Sequence, residues 1–366
     1  MFNNIYFNKK VLITGHTGFK GAWLAMWLLK LGAKVSGFSD CVPTTPAMFE
    51  VVGLREKVNH RLGDIRHLDS IKNAIEEIKP DFIFHLAAQS IVSSSYEDPI
   101  GTLNTNVLGT ANILEALRLL NPKCVVVMIT SDKCYENVEW LWGYKETDHL
   151  GGRDIYSGSK GAAEVIIHAY YHAFFKSSAC NVILATGRAG NVIGGGDWAK
   201  DRIVVDCMRS WSEGIPVEIR SPSATRPWQH VLEPLSGYLT LGESLSKNLS
   251  IRGESFNFGP RAEQSHTVLE LLAELSSYWQ FKDITDAFSV VENVPFHEAG
   301  LLKLNCDKAL FHLKWEANLS YKTCVKLVSE WYFAYYKKTA NMYDLTLDQI
   351  DLYEAQAKKR NLIWAK

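Results

Sequence analysis

Residues 11–31 read VLITGHTGFKGAWLAMWLLKL. The opening run, 11–14, predicts a buried strand, and 18–31 carries apolar residues at helical spacing. Between them, the turn GHTGFKG places glycines three residues apart. Such glycines permit a tight turn and the close approach of a pyrophosphate, and the amides of the following helix then face the phosphates. This stretch therefore predicts a dinucleotide site at a strand-to-helix turn.

The rest of the first half alternates strand and helix patterns. The further predicted strands are 34–38, 58–62, 81–87, 124–130 and 182–186, and the predicted helices are 68–78, 105–120 and 158–175. Continuous apolar strands separated by helices are typical of a parallel sheet covered on both faces. We therefore predict an α/β fold, a doubly wound parallel sheet of Rossmann type with a smaller, discontinuous C-terminal substrate lobe.

Beyond residue 187 the pattern changes, because glycine, proline, tryptophan and arginine become frequent and the alternation breaks up. We predict a Rossmann domain over 1–187 with a later return near 226–260, and a lobe that is mostly substrate-binding over 188–340. Helical patterns return within that part of the chain, at 232–245, 268–278 and 321–338. The last residues, 341–366, predict a helical tail.

The composition excludes several classes of protein. The 366 residues are 47% apolar and 22% charged, which is typical of a globular chain and not of a disordered one. Thirty-nine basic and 40 acidic residues leave a net charge of −1, so no global field attracts nucleic acid or an anionic membrane. The seven cysteines lack C-x-x-C spacing, which favours reduced thiols over zinc ligation. No signal-peptide pattern is present, and we expect a cytoplasmic protein without metal.

The ends of the later strands predict the remainder of the cofactor site. An acidic residue is expected after the second strand to accept the adenosine ribose hydroxyls of NAD. Ser39 stands there instead, with Asp40 next, and no arginine follows to hold a 2′-phosphate, so we expect NAD rather than NADP. The candidate cofactor-binding residues are Gly15, Thr17, Gly18, Phe19, Lys20, Gly21, Asp64, Ile65, Ala87, Ala88, Gln89, Tyr156 and Lys160.

The segment YSGSK, residues 156–160, is a sharper signal. Tyr156 and Lys160 are four apart at a predicted helix start, so the phenol and the ammonium lie on one face. We expect the positive charge to lower the pKa of Tyr156 toward the working pH. The pair would then remove a hydroxyl proton while a nicotinamide takes hydride from the same carbon.

With these motifs the chain resembles the extended short-chain dehydrogenase/reductase family over nearly its whole length. Within that family it is most similar to the nucleotide-sugar dehydratases. Besides the two motifs above, the family segments present are HLAAQ at 85–89, NVLGT at 106–110, TSDKCY at 130–135, RAGNVIGGGDW at 188–198, RPWQHV at 226–231 and HEA at 297–299. The resemblance adds Asn106 to the cofactor-binding residues.

The resemblance implies a dehydration of CDP-glucose on a resident NAD. Tyr156 would deprotonate the C4 hydroxyl, with Ser131 hydrogen-bonding that oxygen and Lys160 binding the nicotinamide ribose. Hydride would leave C4, water would be lost across C5 and C6, and hydride would return to C6. The product would be CDP-4-dehydro-6-deoxy-glucose, a precursor of 3,6-dideoxyhexoses in surface polysaccharides.

Elimination needs a second acid–base pair, and Asp132 and Lys133 follow the fifth predicted strand. We assign Asp132 as the acid for the C6 hydroxyl and Lys133 as the base at C5. These roles require a raised carboxyl pKa and a neutral amine. The resemblance implies a lysine here in enzymes acting on CDP-glucose, where other dehydratases carry an Asp-Glu pair.

The substrate's pyrophosphate requires fixed donors, and Arg226 with Asn191 is the first candidate. The further substrate-binding candidates are Arg202, Arg261, His297 and Glu298. In relatives the helices at 105–120 and 158–175 form a dimer seam, which implies a homodimer or a pair of dimers. Two alternatives stay open, a nucleotide-sugar 4-epimerase on the same scaffold and a non-catalytic NAD-binding protein.

Overall fold

The computed structural model describes residues 1–120, 122–177, 179–261, 264–279, 281, 283–291 and 301–366. Its strands, in chain order, are β1 (Lys10–Thr14), β2 (Lys34–Ser39), β3 (Asn59–Leu62), β4 (Phe82–His85), β5 (Cys124–Ile129), β6 (Val182–Ala189), β7 (Val192–Ile193), β8 (Val217–Ile219), β9 (Thr225–Arg226), β10 (Gln229–His230), β11 (Ser255–Phe258), β12 (His266–Thr267) and β13 (Phe288–Val290).

Seven of these strands form one parallel sheet in the order β11-β6-β5-β4-β1-β2-β3. β4 is the central strand and β1 lies beside it, where the last residue of β1, Thr14, pairs with Phe38 of β2 and His85 of β4. β4 and β5 are buried along their whole length, which is why they appear in the sequence as continuous apolar runs. The carboxyl ends of β1, β4, β5 and β6 therefore meet at one edge of the sheet.

Helices cover both faces of the sheet. They are α1 (Phe19–Lys30), α2 (Met48–Val51), α3 (Leu68–Ile78), α4 (Val92–Glu97), α5 (Pro99–Leu103), α6 (Gly109–Arg118), α7 (Ile155–Tyr170), α8 (Ile203–Ser212), α9 (Leu232–Lys247), α10 (Val268–Ser277), α11 (Asp307–Leu313), α12 (Tyr321–Lys337) and α13 (Met342–Lys359). One core cluster joins α3, α6 and α7 to the sheet, and a second joins α1, α9, α12 and α13 to the opposite face. The sheet is thus doubly wound.

The predicted α/β architecture is confirmed, and the six predicted strands agree with β1–β6 to within a few residues. The predicted helix 105–120 begins with a π-helical turn, Asn104–Leu108, and the predicted helix 158–175 ends with another, Tyr171–Phe175. The seventh strand of the sheet, β11, was not predicted, because its alternation of polar and aromatic side chains is only four residues long. It extends the sheet beside β6.

After β6 the chain forms short paired strands and helices, with β7 pairing with β10, β9 with β12 and β8 with β13. The division of the chain into domains at residue 187 stays a prediction. The helix of the tail, α13, packs back on α1, where Trp27 Nε1 and Lys30 Nζ donate to the carboxylate of Glu354 at 2.7 and 2.6 Å. Trp364 stacks on Phe2, so the two ends of the chain lie together.

No helix among the described residues is long and apolar enough to cross a bilayer. All seven cysteines, at positions 41, 124, 134, 180, 207, 306 and 324, are free thiols. The described part of the chain holds no cluster of three or more histidine, cysteine and carboxylate side chains that could bind a metal ion.

Candidate active site

The glycine turn between β1 and α1 forms a closely packed cradle. Gly15 has a φ of +77°, and a Cβ there would lie 2.7 Å from the amide nitrogen of Ala87. A Cβ on Gly21 would lie 2.1 Å from the carbonyl oxygen of Gly15. Gly18 precedes the first turn of α1, whose free amides form a positive end. This backbone fits the pyrophosphate of a dinucleotide, because only glycines allow the turn and the ligand to approach so closely.

The loop after β4 completes the floor of the cradle. Ala87 N donates to Thr14 Oγ1 at 3.3 Å, and Gln89 N donates to Asn106 Oδ1 at 2.8 Å. The amide of Asn106 donates in turn to Gln89 O and to Ser159 Oγ, each at 2.9 Å. The side chain of Asn106 thus ties the loop to α7, and its contact with a cofactor stays a prediction.

At the end of β3 the structure adds a residue that the sequence did not indicate. Arg66 donates to the carboxylate of Asp64 through Nε at 2.7 Å and through its backbone amide at 2.8 Å. Ile65 is buried against Gly109. An arginine therefore does lie at this edge, contrary to the expectation, but its charge is paired with Asp64, which keeps the preference for NAD over a 2′-phosphate.

Tyr156 and Lys160 lie one turn apart at the start of α7, as predicted. The helix begins at Asp154, whose carboxylate accepts from Ser157 N at 2.9 Å and from Ser157 Oγ at 2.7 Å. Both side chains are buried, and Lys160 Nζ lies 5.9 Å from the centroid of the Tyr156 ring. The capped first turn holds the phenol and the ammonium on one face.

The expected lowering of the pKa of Tyr156 is wrong for this structure. Burial raises the pKa of Tyr156 to about 12, while a hydrogen bond with Ser131 and the charge of Arg202 act in the opposite direction. Burial and the charge of Lys20 lower the pKa of Lys160 to about 8. The lysine charge lies over the ring and not beside the oxygen, so desolvation of the phenolate prevails.

The predicted elimination pair, Asp132 and Lys133, stands on a short helical turn, Asp132–Cys134, shortly after β5. Ser131 Oγ donates to Asp132 Oδ1 at 2.9 Å and accepts from Lys133 N at 3.3 Å. Burial raises the pKa of Asp132, although the charge of Lys133 opposes that rise. A protonated carboxyl is what a general acid requires. A Cβ on Gly190 would lie 2.8 Å from Asp132 Oδ2, so the glycine leaves room for this side chain.

The predicted substrate residues are spread over several elements. Asn191 follows β6, and Arg202 precedes α8. The charge of Arg202 acts to lower the pKa of Tyr156, so its guanidinium lies within electrostatic reach of that phenol. Arg226 lies on β9, half-buried, and donates from Nη1 to Thr225 O at 2.9 Å. Arg261 is exposed and pairs with Glu316 at 2.9 Å. His297 and Glu298 lie outside the described residues.

The glycine turn, the Tyr156–Lys160 pair and the Asp132–Lys133 pair are all present in the structure, and the similarity to known proteins shows the family to which the chain belongs. A family model described as GDP-mannose 4,6 dehydratase matches residues 12–328. The chain belongs to this family.

Among curated members, a CDP-glucose 4,6-dehydratase of Salmonella typhimurium is 44% identical over 335 residues, which cover 91% of this chain and 92% of the relative. A CDP-paratose 2-epimerase of Salmonella typhi is 28% identical over 88% of the chain and 98% of the relative.

Solved structures share the fold. The epimerase Mth375 of Methanothermobacter thermautotrophicus superposes with a TM-score of 0.78 at 21% identity, over 93% of this chain and 97% of the other. A dTDP-glucose 4,6-dehydratase of Bacillus anthracis in complex with NAD has a TM-score of 0.73 at 21% identity, over 93% and 99% of the two chains. At this identity the likeness shows the fold alone.

This member of the GDP-mannose 4,6 dehydratase family carries a histidine pair beside the glycine turn that sequence reasoning missed. His16 Nε2 is 2.7 Å from His60 Nδ1, and His16 Nδ1 is 2.8 Å from Ser39 Oγ. Burial lowers the pKa of His16 to about 4. The hydroxyl that replaces the expected acid is thus held by His16. The sequence feature that could have indicated this packing is the glycine at position 37 of β2, where a Cβ would lie 2.1 Å from the His16 ring.

A second group that sequence reasoning missed is Asp197, which follows three glycines and accepts from Ala199 N at 3.1 Å. Burial raises the pKa of Asp197, against the charges of Arg202 and Lys20. Burial and the charge of Arg202 lower the pKa of Lys20 to about 8, while Asp132 and Asp197 oppose that fall. Lys20 is predicted to bind the cofactor, and its charge also acts on the pKa of Asp132, the predicted acid of the elimination.

Proposed function

We propose that this chain is a lyase that uses NAD to convert CDP-glucose into CDP-4-dehydro-6-deoxy-glucose. The observation that carries the proposal is the single hydroxyl of Ser131, which serves both acid–base pairs. It bonds the carboxylate of Asp132 and neighbours the phenol of Tyr156. An epimerase has no use for the second pair, because it loses no water. The relative from Salmonella typhimurium supports CDP-glucose as the substrate.

NAD, when bound, would supply a hydride acceptor for C4 and a hydride donor for C6, so that it is regenerated in each turnover. The residues that would hold it are the glycines of the turn, Thr17, Phe19 and Lys20, with Ala87, Ala88 and Gln89 beneath and Asp64 and Ile65 at the adenine end. The close packing around Gly15 and Gly21 supports this assignment, because a side chain at either position would clash with the backbone of Ala87 or Gly15 and open the tight turn that faces the phosphates.

In the first step Tyr156, once its phenol has lost its own proton, takes the proton of the C4 hydroxyl, and Ser131 hydrogen-bonds the same oxygen. Lys160 would bind the nicotinamide ribose, while the hydrogen bond with Ser131 and the charge of Arg202 act to lower the pKa of Tyr156. The product of this step is a 4-keto sugar, in which the ketone acidifies the proton on C5.

In the second step Lys133 removes the C5 proton while Asp132 gives its proton to the C6 hydroxyl. The C6–O bond breaks, water leaves, and a C5–C6 double bond forms. Asp132 suits the acid role because burial keeps it protonated to higher pH than an exposed aspartate. In the third step C6 is reduced, and C5 receives a proton back from Lys133.

For the substrate's pyrophosphate we propose Arg226 and Asn191, with Arg202, Arg261, His297 and Glu298 as further contacts to phosphate or cytidine. Among the described candidates Arg202 is the one whose charge acts on Tyr156, which supports a place near the hexose. A guanidinium there can bind phosphate oxygens with two parallel hydrogen bonds.

We further propose a homodimer or a pair of dimers and a cytoplasmic enzyme. α7 exposes Val165, and the π-helical turn after it exposes Phe174. Leu108 and Leu119, on either side of α6, are exposed as well. Large exposed apolar side chains on adjacent helices are typical of a contact with another chain.

The experiment is turnover of CDP-glucose deuterated at C4, with mass spectrometry and NMR of the product. We expect the label at C6 of a 4-keto-6-deoxy sugar, and dTDP-, GDP- and UDP-glucose serve as parallel substrates. A CDP-hexose that differs from CDP-glucose only in its configuration at C4 would instead establish the 4-epimerase. Bound NAD without turnover of any sugar nucleotide would establish a non-catalytic protein.

A further inference from the structure

A buried ion pair lies behind the catalytic groups. Arg188 of β6 donates to Glu164 of α7 through two parallel bonds, Nε to Oε1 and Nη2 to Oε2, each at 2.8 Å. Both side chains are 3% exposed. Removing one partner of such a pair leaves an uncompensated charge in the interior, so the pair locks α7 onto β6. Glu164 lies one turn beyond Lys160 on α7.

Glu164 holds the beginning of the elimination segment, residues 131–134, which carries Asp132 and Lys133. Thr130 Oγ1 donates to Glu164 Oε1 in a short hydrogen bond, and both groups are buried. Thr130 directly precedes Ser131, whose hydroxyl contacts Asp132. The carboxylate also accepts from Ser255 Oγ at 3.2 Å, which adds β11 to the same group.

The arginine side holds the end of the segment. Arg188 Nη1 donates to Tyr135 OH at 2.7 Å, and Tyr135 OH donates to Asn257 Oδ1 at 2.8 Å. The guanidinium also lies 4.9 Å from the centroid of the Tyr135 ring. Tyr135 directly follows the turn Asp132–Cys134. The one ion pair therefore hydrogen-bonds a residue on each side of Asp132 and Lys133, namely Thr130 and Tyr135.

We propose that the Arg188–Glu164 pair positions the elimination groups against the oxidation groups of α7, and that Tyr135 and Thr130 are the positioning residues through which it acts. The inference rests on the proposed function. Thr130 and Tyr135 hold opposite ends of the segment that carries Asp132 and Lys133. Thr130 adjoins Ser131, which both steps use, whereas Tyr135 adjoins the end that carries Lys133.

The two ends predict different kinetic effects. Loss of the Tyr135 hydrogen bond frees the end of the segment that carries Lys133 and slows elimination. Tyr156 and Lys160 stay in place on α7, and Ser131 stays next to Thr130, which still bonds Glu164. Releasing Thr130 frees the Ser131 end and slows both steps. A loss of simple stability would not separate the steps in this way.

The experiment uses Tyr135→Phe and Thr130→Val, because substitution of Arg188 or Glu164 would leave a buried unpaired charge. Tyr144→Phe is the matched control. The Tyr144 ring stacks on that of Tyr135, with centroids 5.3 Å apart. Its hydroxyl contacts Val138 N at 2.7 Å and Asn137 Oδ1 at 3.0 Å, away from the ion pair. Thermal unfolding verifies that all three variants are folded.

Rapid-quench and stopped-flow measurements with CDP-glucose separate the steps, with NADH formation reporting C4 oxidation and the 6-deoxy product reporting elimination. In Tyr135→Phe we expect elimination to slow by about tenfold to a hundredfold, as for a lost hydrogen bond to a charged group, and oxidation to change by less than about threefold. The 4-keto-glucose intermediate should accumulate. Thr130→Val should slow both steps, and Tyr144→Phe should change neither.

Equal slowing of both steps in Tyr135→Phe, no slowing at all, or the same effect in Tyr144→Phe would overturn the positioning role. These outcomes leave the proposed function intact, because the unaltered enzyme still makes the product. Absence of product from the unaltered enzyme would overturn the proposed function itself, and this inference with it.

Discussion

Lys160 Nζ lies 5.9 Å from the centroid of the Tyr156 ring, over its face and one helical turn away. This placement explains why burial, and not the lysine, dominates the pKa of the phenol. The tyrosine is therefore mainly protonated at neutral pH in the protein alone. Its hydroxyl shares a hydrogen bond with Ser131, so removal of that hydroxyl is the direct test of the oxidation step.

We predict that Tyr156→Phe retains NAD and loses C4 oxidation by at least about 10²-fold, because the Tyr156 hydroxyl, which shares a hydrogen bond with Ser131, is the group assigned to take the proton of the C4 hydroxyl. Calorimetric titration with NAD measures cofactor binding, and NADH formation on adding CDP-glucose measures oxidation. Turnover at the unaltered rate would remove Tyr156 from the mechanism.

Lys133→Ala should slow the elimination by about 10²–10⁴-fold, the usual contribution of a general base. Exchange of the C5 proton with deuterated water and formation of the 6-deoxy product measure this step. Lys123→Ala, at an exposed position before β5, is the control. If exchange at C5 continued at its normal rate, the base would have to be sought elsewhere.

Arg226→Ala should raise KM for CDP-glucose and leave kcat nearly unchanged, because a phosphate contact binds ground state and transition state alike. Arg261→Ala is the comparison. It should have a smaller effect, since Arg261 is exposed and already paired with Glu316. A fall in kcat with an unchanged KM in Arg226→Ala would contradict the assignment.

Stability should fall in mild acid because of buried neutral histidines. Burial lowers the pKa of His230 from 6.5 to about 3. Between these values the unfolded chain binds the proton and the folded chain does not, so stability is lost as the pH falls below about 6.5. One such group contributes about 1.4 kcal/mol per pH unit.

Denaturant unfolding from pH 7 to pH 4 measures this slope. His230→Asn should make it shallower, even though the variant is less stable overall, and an exposed histidine variant, His149→Asn, should keep it. An unchanged slope in His230→Asn would assign the acid sensitivity to other groups.

Much of the fold was predictable from the sequence because the relevant signals are local. Buried parallel strands are continuous apolar runs, and β4 and β5 were located from these runs alone. The glycine turn was predictable because its spacing reflects backbone sterics that any neighbouring side chain would violate. β11 was not, because an alternation of only four residues is too short to stand out and its place beside β6 depends on a distant pairing.

The residue types and order of the site were also determined locally, since strand ends in a parallel sheet converge at one edge. Tyr156 and Lys160 could be assigned from their spacing at a helix start, and Ser131, Asp132 and Lys133 from their place after the fifth strand together with the family resemblance. What only the tertiary structure decided were the environments of these groups. Burial set the direction of the pKa of Tyr156 against expectation, and long-range contacts joined His16 to His60 and Arg188 to Glu164. Desolvation and ion pairing depend on which groups meet in three dimensions, and a linear pattern does not encode those meetings.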